Sequence, residues 1–385
     1  MSSRMPHRSD IIPLPPLARG ATLAAFFLAG FAMAAWAPLV PYAKARAGLD
    51  DGALGVLLLC LGAGSLVAMP LAGALAQRLG CRTVVVTAAL AASVALPVLA
   101  TGSGFAVLAG ALLLFGAGIG AIDVAVNIQA VMVERAGGRP MMSGFHGFFS
   151  VGGMAGAGGV SALLWLGATP LAAVLVAAAV NVLLLAGFAR GLIARGGGAG
   201  APLFALPHGR IVLIAVLCFA VFLAEGAMLD WSAVFLTGAR GVDPSRAGLG
   251  YAAFALAMTV GRLGGDRVVA RLGGPAVMLA GALVAASGLA LAVLVAAPGA
   301  ALAGFAMVGL GASNIVPVLY SVLGRQTAMP APLAVAAVTT VGYAGILAGP
   351  ALIGFVAAAS SLAAAFALIA LSLVAVGLSA RVAAS

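Results

Sequence analysis

Nine acidic side chains occur in 385 residues, and several of them interrupt long apolar runs. Asp123 and Asn127 stand four residues apart, which on a helix puts them on one face. Glu134 follows about three turns along the same stripe. An ionisable group inside a hydrocarbon span costs about 2.5–3.5 kcal/mol on insertion scales, so each is a functional candidate. Two readings fit Asp123 with Asn127: a proton or substrate site, or a polar clamp to a neighbouring helix. Glu225 lies near the middle of another apolar run, where a carboxyl that takes up and releases a proton could drive transport. Its alternative is a protonated carboxyl bonded across to another helix. Asp230, five residues on and so on a different face, belongs to the solute path or to a gate with Arg240 or Arg246. His146 could shuttle protons or be a hydrogen-bonded structural residue. Asn314 with nearby Pro317 points to a kinked, solute-facing helix. Trp36 and Trp231 could stack on a solute or anchor the membrane interface. No nucleophile and base are paired, no His/Glu metal cluster is present, and Cys60, Cys81 and Cys218 are isolated. Neither an enzyme, a cofactor, a metal site nor a disulfide framework is expected.

The elements that must position these groups are membrane helices. With 64% hydrophobic and 7% charged residues, a soluble globule could not cover itself with polar surface. Apolar stretches of about twenty residues recur throughout. The expected fold class is an all-α polytopic membrane protein with twelve spans. Six lie at approximately 20–42, 52–76, 83–100, 105–132, 141–165 and 170–190, and six at approximately 211–237, 247–269, 275–297, 299–323, 332–357 and 361–380. The segment ending Ala32-Met33-Ala34 resembles a signal-peptidase site, but it continues through Trp36 and is read as the first helix. A Gly-rich stretch from Arg195 to Pro202 marks a linker. The expected organisation is an N-terminal half over 1–193, a linker over 194–209 and a C-terminal half over 210–385. Of the 19 basic residues only Lys44, Arg46, Arg240 and Arg246 fall on the side opposite both termini, which predicts cytoplasmic termini in a bacterial inner membrane. Basic residues occur singly, without an aromatic stripe, which argues against nucleic acid as a partner.

The halves repeat. Phe27-Leu28-Ala29-Gly30-Phe31-Ala32-Met33-Ala34-Ala35-Trp36 aligns without a gap on Phe222-Leu223-Ala224-Glu225-Gly226-Ala227-Met228-Leu229-Asp230-Trp231. Further on, Arg78-Leu79-Gly80 pairs with Arg271-Leu272-Gly273, and Gly116 and Gly118 pair with Gly309 and Gly311. Parallel repeats of six helices imply a pseudo-two-fold axis along the membrane normal with a binding site between the halves. The third helix of each triplet is nearly free of polar groups. These gather in helices 4, 5, 7, 8 and 10.

Gly73-Ala74-Leu75-Ala76-Gln77-Arg78-Leu79-Gly80-Cys81-Arg82 resembles the loop motif of the major facilitator superfamily, with Gln77 at the usual Asp position and Cys81 at one usual Arg position. Gly73, Arg78, Gly80 and Arg82 retain the pattern. Its echo runs from Gly261-Arg262 to Arg271-Leu272-Gly273, and Arg262 and Arg267 are expected at the cytoplasmic gate or facing lipid. Asp123 to Asn127, Phe145 to Ser150, Ala224-Glu225-Gly226 and Asp230-Trp231 resemble the MosC-like bacterial branch of that superfamily. The resemblance implies a monomeric, proton-coupled secondary transporter of a small, polyol-like or sugar-like solute, working by alternating access in membrane lipid. An uncoupled facilitator, an efflux antiporter and a non-transporting membrane receptor are the alternatives. No Walker sequence accompanies the Gly-rich runs, so ATP-driven transport is not expected.

Overall fold

The computed structural model describes residues 16–49, 51–194, 206–243, 246 and 248–384. Most of the expected linker, with Arg195, and also Arg4 and Arg8 lie outside the described residues. In a bilayer each backbone N–H and C=O needs a partner within the protein, and a helix supplies it from its own segment. Among the described residues there is accordingly no strand. Twelve helical spans follow one another: α1 Ala18–Ala47, α2 Ala53–Leu79, α3 Cys81–Thr101, α4 Phe105–Gly137, α5 Met142–Trp165, α6 Pro170–Gly191, α7 Arg210–Arg240, α8 Leu249–Leu272, α9 Gly274–Leu294, α10 Pro298–Leu323, α11 Ala331–Ala359 and α12 Leu362–Leu378. A short α13, Ala380–Ala384, ends the described chain. Ten of the twelve are long and apolar enough by themselves to cross a membrane. The others are α8, which carries Arg262, Asp266, Arg267 and Arg271, and α12, whose 17 residues rise about 25 Å.

Two spans are interrupted where the sequence removes backbone donors. In α1, a 3-10 turn at Ala37–Leu39 contains Pro38 and is followed by Pro41. In α10, helices Pro298–Ala312 and Ile315–Leu323 are separated at Ser313 and Asn314, just before Pro317. The repeat-related glycines Gly80 and Gly273 take φ of 83° and 78° between consecutive helices, a region that side-chain-bearing residues rarely adopt. That geometry lets α2 turn directly into α3 and α8 into α9.

The first six helices pack chiefly among themselves, α2 with α4, α1 with α5 and α3 with α4; the last six do likewise, α7 with α11, α9 with α10 and α8 with α10. Side chains such as Val94, Leu183 and Leu371 point outward and are more than half exposed, as lipid requires. Consecutive helices alternate in direction, so the turns holding Arg82, Arg139, Arg190 and Arg271 share one end of the bundle, here termed the basic face. The two groups of helices meet there. The backbone at Gly73 on α2 lies against Pro332 and Ala336 of α11, and Gly324, just after α10, against Val131 of α4. Asp266 of α8 accepts from the backbone N–H of Ser143 and of Gly144 on α5, each at 3.0 Å. Glu134 of α4 takes the two preceding donors, Met141 N–H at 2.7 Å and Met142 N–H at 2.8 Å. The start of α5 is thus held by two carboxylates, one from each group of helices.

Close helix approach depends on glycine. A Cβ at Gly30 of α1 would overlap the Phe149 carbonyl of α5, and one at Gly152 would overlap the Phe27 carbonyl of α1. By contrast, nothing lies within 4 Å of a Cβ built at Gly158. Gly152→Val should therefore cost about 1–3 kcal/mol through overpacking, lowering the thermal midpoint and the monodisperse yield after detergent extraction. Gly158→Val, measured alongside by fluorescence-detected gel filtration, should match the parent protein.

Candidate functional site

Polar side chains converge between the two groups of helices. Glu225, about four turns from the start of α7 at about 3.6 residues per turn, is partly buried, with Gly226, Ala227 and Met228 buried beside it. Arg262 of α8 donates to its Oε1 at 3.3 Å, and the guanidinium residue is only 7% exposed. The same guanidinium donates to Ser150 Oγ of α5 at 3.2 Å, and Ser150 in turn donates to the His146 carbonyl at 3.3 Å. One cation therefore links α7, α8 and α5 across the plane between the two groups. The expectation places Arg262 at the cytoplasmic gate or facing lipid; the side chain is buried against Glu225 and does not face lipid. Arg262 lies more than two turns before the end of α8, deep enough to pair with Glu225 rather than reach the basic face.

A second polar group lies on α4. Asn127 Nδ2 donates to the Asp123 carbonyl at 2.9 Å and to its Oδ1 at 3.2 Å. Val131, one turn further along the same stripe, touches Gly324 just after α10, so this face of α4 looks across at the last six helices. Tyr320 of α10 and Tyr343 of α11 both lie within electrostatic reach of Asp123. The Tyr320 hydroxyl is 2.6 Å from Thr339 Oγ1, whose own proton goes to the Val335 carbonyl at 2.8 Å. The His146 ring lies 5.8 Å from that of Tyr320 and 5.2 Å from that of Phe26. His146 Nδ1 is 3.0 Å from the Met142 carbonyl, which can only accept, so Nδ1 carries the proton. Asp123, Asn127, His146, Glu225 and Arg262 are thus brought together with tyrosines that the sequence reading did not single out. Tyr251 of α8 joins them, within electrostatic reach of Glu225, Arg262 and Asp230.

Other expected residues fall elsewhere. Asp230 is exposed, in the part of α7 away from the basic face and more than two turns before its end. Arg240, its expected gate partner, donates to the Ala292 and Val293 carbonyls and lies 4.6 Å over the Phe235 ring, so it caps the last turn of α9. Arg46 does the same for α3, donating to the Leu99 carbonyl at 2.7 Å and the Gly102 carbonyl at 2.9 Å. Trp36 is 5% exposed inside an apolar cluster made by the first six helices, with Leu39, Leu57 and Leu96. Trp231 is half-buried against Gly354 of α11. Asn314 Nδ2 donates to the Gly261 carbonyl at 3.1 Å, joining α10 to α8 at the break in α10. Its Oδ1 has no partner among the described residues. In the loop motif, Arg78 and Arg271 are exposed, and Arg82 donates to the carbonyls of Arg190 and Leu192, holding the segment after α6.

No protein-family model matches the chain. An uncharacterized MFS-type transporter of Yersinia pestis is 57% identical over 362 residues, covering 94% of both chains. The membrane protein MosC of Rhizobium meliloti is 32% identical over 340 residues, covering 88% of this chain and 83% of its own. Among solved structures, the E. coli fucose:proton symporter FucP superposes with a TM-score of 0.77 at 15% identity, over 96% of this chain and 99% of that one. A relative sharing more than half of its residues over nearly the full length, on a fold common to transporters, makes this chain a member of the major facilitator superfamily.

Proposed function

We propose that this transporter moves a small polar solute across the bacterial inner membrane by alternating access and couples that movement to protons. The observation that carries the reading is the Glu225, Arg262 and Ser150 bridge, in which one buried guanidinium is bound by groups from both sets of six helices. Protonation of Glu225 removes the charge that holds Arg262, and Arg262 then turns to other acceptors, the solute among them. A binding event at the centre thereby changes which groups tie residues 1–193 to residues 210–385, the two halves that rock about the site. Asp123 is a second carboxyl in the same space, and Asp230 lies towards the mouth. The similarity to FucP, a fucose:proton symporter, supports proton coupling and a hydroxylated solute of sugar-like size. The count of basic residues supports cytoplasmic termini and puts the basic face in the cytoplasm. A monomer contains all of these elements.

With the basic face closed, the Asp266 contacts to the start of α5 belong to one of the two access states. Alternating access predicts that breaking them favours the other state. Asp266→Leu should raise the labelling rate of a single cysteine introduced beside Tyr320 by a membrane-impermeant maleimide in inside-out vesicles, by about fivefold for a bias of roughly 1 kcal/mol. An unchanged rate would remove Asp266 from the closure.

Glu225→Gln tests the coupling. The variant keeps a hydrogen-bonding group beside Arg262 but no titratable proton. In proteoliposomes, solute movement driven by a pH gradient should fall at least tenfold, whereas exchange of solute between the two sides without a gradient should survive. Undiminished gradient-driven uptake would disprove the assignment of Glu225.

A further inference from the structure

The polar groups around Asp123 share a feature that bears on the solute itself: their protons are already spent. Asn127 directs its amide N–H towards the Asp123 carbonyl and carboxylate, which leaves its Oδ1 facing elsewhere. That oxygen is buried without a partner among the described residues, in a side chain only 2% exposed. Thr339 gives its hydrogen to the Val335 carbonyl, so the Tyr320 hydroxyl is the donor in their mutual bond and retains only lone pairs. His146 Nδ1–H is bound to the Met142 carbonyl, so the neutral ring presents Nε2 as an acceptor. The Asp123 carboxylate is itself an acceptor, and Asn127 is its hydrogen-bond partner. Four acceptors therefore lie on α4, α5 and α10, Asn127 is the donor to one of them, and the nearest cation, Arg262 within electrostatic reach of His146, is bound to Glu225 and Ser150.

Charge points the same way. Glu225 and Arg262 compensate each other at 3.3 Å. Asp123 has an amide and two tyrosines for neighbours, none of which carries a positive charge. A sugar hydroxyl brings lone pairs of its own into such a place. A protonated amine brings three N–H donors, no lone pair and one positive charge.

We infer that the transported solute carries a protonated amine, and that this ammonium group seats on the Asp123 carboxylate and the Asn127 carbonyl beside Tyr320 and His146. The inference rests on the transport reading and narrows its solute class to small hydroxylated amines. An ammonium and a proton neutralise the same carboxylate, so each excludes the other at Asp123. Aromatic rings of tyrosine beside the seat add a cation–π attraction that a neutral solute would not gain.

The test uses the full-length protein purified in detergent and pairs of probes that exchange a hydroxyl for an amine: glucose with glucosamine, glycerol with aminopropanediol, and ethylene glycol with ethanolamine. At least one amine should raise the thermal unfolding midpoint saturably at concentrations where its hydroxyl partner has no effect. Asp123→Asn should weaken that binding at least tenfold and Asp123→Glu should retain most of it. If Asp123→Asn does not fold, Asn127→Leu stands in, with a weakening of several-fold expected. Equal binding of both members of every pair, no response to any amine, or an amine response that survives in the folded variants overturns the inference. Proton flux read by an internal pH dye in proteoliposomes separates the two proposals. Flux evoked by a neutral probe but by no amine sustains transport and overturns the ammonium seat. Asp123-dependent amine binding without flux sustains the seat and overturns the transport reading.

Discussion

The arrangement of this protein follows from one requirement: a guanidinium placed between apolar helices must find its compensation inside the protein. Arg262 meets it with Glu225 on one side and Ser150 on the other, at the plane where the two sets of helices face each other. Removing one partner of such a buried pair typically costs about 3–5 kcal/mol, because the remaining charge is left in a medium that cannot solvate it. The pair therefore does more than stabilise one arrangement. It ties the relative position of α5, α7 and α8 to a single carboxyl and a single hydroxyl.

The same scarcity of water explains where the remaining charges sit. Arg46 and Arg240 bind the last carbonyls of α3 and α9, where the helix leaves acceptors without intrahelical donors. Glu134 and Asp266 bind the first four donors of α5 between them. In each case a charge meets the end of the helix dipole that suits it. The difference lies in partnership: Glu134 comes from a neighbour in the same set of six, whereas Asp266 comes from the opposite set. One cap lies within a single set of six helices, and the other spans the two sets.

Much of this was legible in the sequence because the features concerned are local or periodic. Apolar length gives the spans, and Gly80 and Gly273 mark turns that need a left-handed backbone. The stripe of Asp123, Asn127 and Glu134 follows from helical spacing alone. The break in α10 follows from Asn314 and Pro317. Arg262 is different, because the sequence puts it towards the cytoplasmic end of α8 and does not show that Glu225 lies opposite. That depends on how two helices are rotated about their axes. The same holds for Trp36, whose ring turns into the first six helices, and for Tyr320 and Tyr343, whose importance depends on what crosses from α4. Tyrosine in a span reads as an interfacial anchor until its neighbours are known. Glu134 is readable as a polar residue near a helix end, but its role needs the return of the chain at Met141.

The internal repeat supplies a further argument about which residues serve the fold and which serve transport. Features that both halves share, such as the glycines at the α2–α3 and α8–α9 turns and the arginines of α1 and α7 that cap α3 and α9, satisfy backbone requirements that both halves have. Glu225 aligns with Gly30, and Gly30 cannot carry a side chain because α5 packs onto α1 at that point. The first half therefore keeps the close approach and gives up the carboxyl. By continuation of the alignment through Gly118 and Gly311, Asp123 corresponds to Val316, so its charge too is found in one half only. Each half contributes one unrepeated carboxyl to the space between them, Asp123 from α4 and Glu225 from α7. Neither is demanded by the pseudo-symmetric scaffold, and both carry an insertion cost that the scaffold alone gives no reason to retain. Selective binding of an asymmetric solute needs an asymmetric site, and these two carboxyls, with Arg262 beside one and tyrosines beside the other, are where the symmetry of the fold is broken.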